Sequence, residues 1–281
     1  MTRQSAIDPV HLAGRAVIEV SRSEARAFLH SLVTNDVAAL GEGDAQWAGL
    51  LTPQGKILFD FFILARPGGI FWLDVSAAAS GDLARRMEMY KLRRDVDITP
   101  RPDLAVAAGE AQGAIAAFAD PRLPAFGARA VLTAQQAAKL QADASAYHAA
   151  RIAAGLPDSD ADIGSGRLFP HEANFDQLNG VSFTKGCYIG QEVVSRMQHR
   201  GLARNRLVPV IADAPLETGA PVTAGEKPLG EVFSTAANRA IALVRLDRAA
   251  SAIEAGIPLL AGDRPLRLVR PSWASFGVPG A

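Results

Sequence analysis

The sequence predicts an α+β fold of largely antiparallel sheets with helices, followed by a small C-terminal β-barrel. Three observations carry that expectation. Strand-like and helix-like segments interleave through the first half of the chain, and several strands are joined by short turns. From Arg206 onward, short apolar runs alternate with glycine, proline and asparagine. Turn-linked strands pair antiparallel, and short strands with regular turn punctuation suit a barrel or sandwich. A length of 281 residues with 49% hydrophobic content supplies a substantial core. The expected organisation is one region over 1–204, with two interleaved sub-domains changing over near 100–125, and a barrel domain over 205–281.

Arg15 to Val20 reads as a strand, and Ser21-Arg22-Ser23-Glu24 matches a capping box opening a helix with Ala25, Phe28, Leu29 and Leu32 on one face. Thr34-Asn35-Asp36 ends it with turn-tolerant residues. Ala45 to Leu51 and Lys56 to Leu64 form a hairpin around Thr52-Pro53-Gln54-Gly55. Ile70 to Val75 is a strand. Ser80 to Leu92 is a helix with Leu83, Met87 and Tyr90 on one face, and Asp95 to Thr99 is extended again. Leu104 to Ala108 is strand-like, and Thr133 to Ile152 is helical in composition. The barrel runs are Leu207 to Ile211, Leu229 to Phe233, Ala240 to Leu246 and Leu266 to Val269.

Lysine plus arginine equals aspartate plus glutamate at 29 each, so no global field draws the chain to nucleic acid or an anionic membrane. No stretch approaches the roughly 18 apolar residues of a membrane span, and the first residues lack a signal-peptide pattern. A single cysteine excludes a disulfide framework and a multi-cysteine metal site and suits a reducing compartment, so the expected location is cytoplasmic. The five histidines show no metal-binding spacing, and no metal site is expected. Trp47, Trp72 and Trp273 read as core contacts, with Trp47 also able to stack on a ligand ring. Asp158 to Asp162 reads as surface loop.

The most informative stretch runs from Gly180 to Gly201. Ile189, Val193 and Met197 recur every four residues, so a helix is expected to begin just after Gly186. That places Cys187 at a helix N-terminus, where the dipole and nearby Lys185 favour a thiolate. The alternative for Cys187 is a small buried hydrophobe, and the alternative for Gln191 and Glu192 is an exposed helix face.

The run Lys185-Gly186-Cys187-Tyr188-Ile189-Gly190-Gln191-Glu192, followed by Arg196 and Arg200-Gly201, resembles the signature of the YgfZ family of folate-binding proteins, relatives of the glycine-cleavage T-protein. The similarity extends to Arg151 to Pro157, Phe169 to Asp176, Leu32 to Val37 and the hairpin from Leu50 to Asp60. It implies a T-protein-like folate-binding fold, with three sub-domains in a ring around a tetrahydrofolate pocket. It also implies an accessory role in iron-sulfur cluster assembly or repair, including enzymes that modify transfer RNA by radical chemistry.

The resemblance implies working roles for Cys187 and Lys185, with the cysteine as a thiol near the cofactor or near an iron-sulfur carrier or client protein. Glu172 is its candidate for the pterin, since a carboxylate matches an amide N–H beside an exocyclic amine. Asp60, Gln191 and Glu192 are further cofactor-binding candidates. Arg196 and Arg200, with Arg204 and Arg206, are candidates for the folate's anionic tail. Four arginines without flanking aromatics make a poor RNA platform. The hairpin departs from the T-protein pattern, reading Gly55-Lys56 and Phe59-Asp60 where T-proteins usually carry Gly-Gly and paired aspartates. The alternative function is a tetrahydrofolate-dependent one-carbon (aminomethyl or methyl) transferase, and the loss of one carboxylate argues against that ordinary T-protein chemistry.

Overall fold

The structure is a computed structural model that describes residues 8–201 and 203–281. Strand β1 (Val10–His11), strand β2 (Arg15–Ser21) and helix α1 (Ala25–Leu32) lead into the hairpin of β3 (Ala45–Leu51) and β4 (Ile57–Arg66). Strand β5 (Ile70–Ser76), helix α2 (Ser80–Lys91) and strand β6 (Asp97–Pro100) follow. Strands β2 to β6 make a five-stranded antiparallel sheet of order β3-β4-β5-β2-β6. Side chains alternate across it. Phe61 and Ile63 of β4 pack with Phe28, Leu29, Leu83 and Met87 of the helices, while Phe62 and Leu64 turn to the second core. Asp60 shares the parity of Phe62 and faces the same way.

The capping box expected at Ser21 to Glu24 does not form. Ser21 remains the last residue of β2, the helix starts only at Ala25, and Glu24 Oε2 accepts from the Asp95 amide at 2.6 Å instead of reaching back to the Ser21 amide.

Beyond β6 the chain enters a second antiparallel sheet made of β7 (Leu104–Ala108), β8 (Ala116–Ala119) and β9 (Ala128–Thr133), in order β1-β7-β9-β8. The early strand β1 thereby ties the start of the chain to the second sheet. The helical composition of 133–152 resolves into two helices, α3 (Ala134–Ala137) and α4 (Ser145–Ala154). They are separated because the Gln141 carbonyl accepts from the His11 amide at 2.9 Å, turning that backbone into a bridge to β1 instead of a helical turn.

Helix α5 (Gln191–Arg200) leads to the closed barrel of β10 (Asn205–Ala212), β11 (Pro221–Ala224), β12 (Lys227–Ala236), β13 (Arg239–Arg245), β14 (Leu259–Ala261) and β15 (Arg264–Leu268). Between β13 and β14 lies helix α6 (Leu246–Glu254), which the sequence reading missed. Its Ala249 and Ala252 are buried on the barrel core. Gly230 on β12 is required by close approach, because a Cβ there would stand 1.7 Å from the Leu243 carbonyl oxygen. The barrel is tied to the rest of the molecule by Arg206, buried against Asp176, and by Asn174 Nδ2, which donates to the Leu207 carbonyl at 2.7 Å.

Candidate functional site

Between the two sheets and α4 lies a cavity of about 310 Å³ whose lining includes Asp60, Phe62, Arg129, Tyr147 and Ser159. Asp60 is 6% exposed, and its Oδ2 accepts from Trp47 Nε1 and Ser159 Oγ, each at 3.0 Å. Its other oxygen, Oδ1, has no hydrogen-bond partner among the described residues, and no cation stands within ion-pair distance of the group. Burial raises the pKa of its carboxyl, with nearby Arg15 and the two hydrogen bonds opposing the shift. A buried carboxylate without an ion-pair partner, facing open space, is the kind of group that marks a binding site.

Four arginines line the same cavity, far apart in sequence and brought together by the fold. Arg129 Nε and Nη2 hold Asp74 Oδ2 at 2.9 and 2.6 Å, and Arg15 Nε holds Asp74 Oδ1 at 2.6 Å. Burial pushes the Asp74 carboxyl up, and the two guanidinium groups outweigh it, leaving the pKa lowered. Arg122 forks onto Asp120, and Arg151 pairs with Asp162 at 2.7 Å. The reading of Asp158 to Asp162 as surface loop is corrected here. Asp162 is fully buried, Asp158 caps the amides of Asp160 and Ala161 at 3.0 Å, and Asp160 Oδ2 accepts from Ser76 Oγ at 2.8 Å. The amide-capping aspartate was a readable sequence signal. The arginines had none, because each stands alone in its own segment.

The second place is the loop that carries Cys187. The thiol is exposed, and α5 begins only at Gln191, so the expectation of a cysteine at the helix N-terminus is corrected. Gly190, with φ 80°, makes the turn between them. A Cβ there would lie 2.6 Å from the Thr52 carbonyl oxygen, so this glycine presses the loop onto the β3–β4 turn. The other end is anchored on the segment after α1. Thr34 Oγ1 donates to the Gly180 carbonyl at 2.6 Å, the Ser182 amide to the Thr34 carbonyl at 3.0 Å, and Asn35 Nδ2 to the Asn179 carbonyl at 2.7 Å.

Lys185 completes that anchor. It is buried, and its Nζ donates to the carbonyls of His30, Val33 and Asn35 around the C-terminal end of α1, where helix carbonyls lack intrahelical partners. Burial pulls its pKa down to about 8, with Asp36 opposing. The ammonium is therefore occupied with backbone.

The remaining sequence candidates fall outside the cavity lining. Glu172 has both oxygens engaged, Oε2 accepting from the Phe169 amide and Oε1 from Asn205 Nδ2, each at 3.0 Å. Gln191 is the half-buried first residue of α5, and Glu192 pairs with Arg196 on its exposed face. The Arg200 side chain lies outside the described residues. Arg204 is exposed, 4.0 Å from Asp247, and Arg206 is committed to Asp176. Lys56 donates to the Arg167 carbonyl at 3.3 Å. Trp47 is fully buried, and its ring packs at a tilt of 44° against Phe175, with centroids 3.9 Å apart. Among the described residues the sequence candidate that lines the cavity is Asp60. Cys187 does not line it, so thiol and cavity are distinct places. Behind Asp60, Trp47 donates to its carboxylate and packs at a tilt against Phe175, and a Cβ on Gly180 would stand 2.7 Å from that Phe175 ring. Among the described residues no group of three acidic, histidine or cysteine side chains is arranged to hold a metal, and no helix is long and apolar enough to cross a membrane.

Residues 204–276 match the family model of the CAF17 C-terminal beta-barrel domain. The iron-sulfur cluster assembly factor IBA57, mitochondrial, of Homo sapiens is 34% identical over 272 residues, covering 83% of this chain and 76% of its own. The mouse protein of the same name is 34% identical over 238 residues, covering 73% and 66%. A Neurospora crassa homologue is 32% identical over 230 residues, covering 71% and 52%, so the chain spans about half the length of that relative. Among solved structures, the glycine cleavage system aminomethyltransferase T from Bartonella henselae superposes with a TM-score of 0.74 at 15% identity, covering 95% of this chain and 86% of that one. At that identity the likeness speaks for the fold, which is aminomethyltransferase-like. The expected cytoplasmic location is contradicted by the relatives, which are mitochondrial by name.

Proposed function

The chain belongs to the family of the iron-sulfur cluster assembly factor IBA57, and from that premise we propose that it is a tetrahydrofolate-binding accessory factor in iron-sulfur cluster assembly or repair. The observation that carries the reading is the pairing of an exposed thiol on an anchored loop with a separate buried cavity centred on an unpaired carboxylate. One cysteine supplies one of about four protein ligands that a cluster usually takes. The cluster is then cargo, with the other ligands contributed by a carrier protein, a client or a small thiol. The YgfZ-like motif supports clients that include radical enzymes acting on transfer RNA.

The pteridine of tetrahydrofolate fits the cavity's donor set. Asp60 Oδ1 accepts from a ring N–H beside an amine, taking the part that the sequence suggested for Glu172. Tyr147 and Ser159 complete a polar wall, and Phe62 gives an apolar one. The bound folate would supply a one-carbon carrier or reductant; the chain's own residues bind its ring and exclude water from it. Because burial raises the Asp60 pKa, affinity for a donor pair rises with pH as that carboxyl ionises.

Calorimetric titration with tetrahydrofolate tests the reading together with rescue of an iron-sulfur enzyme in cells lacking the protein. Asp60→Asn is expected to weaken folate binding about ten- to a hundredfold, the loss of a hydrogen bond to a charged group. Cys187→Ser is expected to keep folate affinity and lose rescue. Full rescue by the serine variant removes the thiol from the function. The Asp60 carboxylate also favours the second reading, a one-carbon transferase, which multiple turnover of methylated amines with tetrahydrofolate would establish.

A further inference from the structure

We propose that the C-terminal end of α2 is a docking surface for an acidic partner protein, which seats Met89 and Leu92 in an apolar pocket and sets carboxylates against Arg86 and Arg93. The inference deepens the accessory-factor reading, on which it rests for the partner's role as donor or receiver of a cluster.

Leu92 and Met89 are the most exposed large apolar side chains among the described residues, at 85% and 69%. Met89 points away from Leu83 and Met87, through which α2 is buried on the first sheet. Leu92 is the residue at which the helix stops. Its φ of 53° with ψ of −112° is a conformation that residues bearing a side chain rarely adopt. Glycine is the usual choice at such a stop, because it carries no steric penalty there. Here the chain holds a leucine in a strained backbone and turns it to water. Ending the helix explains neither the strain nor the exposure, and such a combination points to a contact made outside the fold.

The charges around these side chains are patterned. Arg85 pairs with Asp82 and Lys91 with Glu88, whereas Arg86 and Arg93 have no carboxylate within ion-pair distance among the described residues. Cations suit the negative end of a helix, but that attraction gives no reason for two bare apolar side chains among them. Arginine and methionine are both enriched at protein interfaces. Exposed Asp82, Glu88 and Asp95 are interspersed with the cations. A uniformly anionic bilayer would face those carboxylates with like charge, whereas a protein can set its own carboxylates against the two free arginines alone.

Patch and thiol loop adjoin the same turn of α1. Arg94, next in the chain after Arg93, donates to Ser31 Oγ at 3.2 Å, and the neighbouring His30 carbonyl is one of those that Lys185 holds. Tyr90 of α2 and Ile189 of the thiol loop pack against one apolar cluster. A helix with its side chains is about 10–12 Å across, and a standard interface covers about 800 Å² on each partner. One protein can therefore cover the patch and meet Cys187 together.

The test puts the photo-crosslinker p-benzoylphenylalanine in place of Met89 of the full chain, in cells where the wild type rescues an iron-sulfur enzyme. Cross-linking, rescue and thermal midpoint are then compared for Leu92→Gly and for Arg86→Glu combined with Arg93→Glu. The expected result is a discrete adduct with a protein of net negative charge, reduced about tenfold or more by the double charge reversal. Leu92→Gly is expected to raise the midpoint by about 2 °C, because glycine relieves the positive φ, and to lower rescue about fivefold or more. Full rescue by Leu92→Gly, a lowered midpoint in that variant, or an adduct untouched by charge reversal overturns the docking surface and leaves the accessory-factor reading standing. Co-sedimentation of the wild type with vesicles of phosphatidylcholine and cardiolipin, lost in Leu92→Gly, assigns the surface to a membrane and overturns the inference as well. Failure of the wild type itself to rescue overturns the accessory-factor reading, and the partner's role with it.

Discussion

Asp60 lines the cavity and Cys187 stands exposed outside it, and the molecule holds them by different means. Asp60 is 6% exposed, on a central strand, fixed by side chains: an indole, a hydroxyl and a surrounding lattice of buried Arg–Asp pairs. Cys187 is exposed on a loop without regular secondary structure, fixed almost entirely through backbone carbonyls and two glycine contacts. Side-chain lattices make a rigid concave site whose arginines are tied to buried aspartates. Backbone tethers leave the side chain they carry free for a partner, which suits a thiol that must meet another protein's cargo.

Breaking the lattice should cost most. Arg129→Met leaves Asp74 to Arg15 alone in a buried setting, and urea unfolding is expected to show a loss of about 3–5 kcal/mol. A loss below about 1 kcal/mol would mean that the lattice shapes the cavity without stabilising the fold. Gly180→Ala tests the packing behind Asp60. Its Cβ would meet the Phe175 and Trp47 rings at 2.7 and 2.8 Å, so about 1–3 kcal/mol of destabilisation is expected, with folate affinity falling as Trp47 shifts from Asp60. Unchanged affinity in that variant would uncouple that packing from Asp60. Lys185→Met should have the smallest effect, about 1–2 kcal/mol, because three carbonyls lose their donor. Amide exchange at 183–188 should then accelerate while the cavity strands keep their protection. Uniform exchange across both regions would show that the loop is not held separately.

Most strands were readable as short apolar runs bounded by turn residues, because β4, β5 and β7 are buried on both faces. The alternation in β2 and the aromatic-rich β4 needed no tertiary information, and the hairpin turn announced itself through Pro53 and Gly55. Helix α6 was missed because a buried barrel strand runs straight into it without a breaker between Arg245 and Leu246. The break between α3 and α4 was invisible because a backbone bridge from Gln141 to β1 made it, and that contact spans most of the first two sheets. At the functional places, the cysteine motif stood out as a contiguous run. Asp60 was legible only as a possibility, Arg151 only as the first residue of a family-like segment, and Arg15, Arg122 and Arg129 were not legible at all.

The sequence by itself determined the alternating strands, the turn glycines and the single thiol, since these depend on local sterics and on composition. Tertiary structure alone decided that Lys185 serves α1 backbone, that Glu172 is spent on a turn and a barrel strand, and that four scattered arginines converge on one cavity, each held by a buried aspartate. The reason is physical. Local propensity acts over a few residues, whereas desolvation and ion pairing depend on which distant side chains the folded chain brings within hydrogen-bond reach.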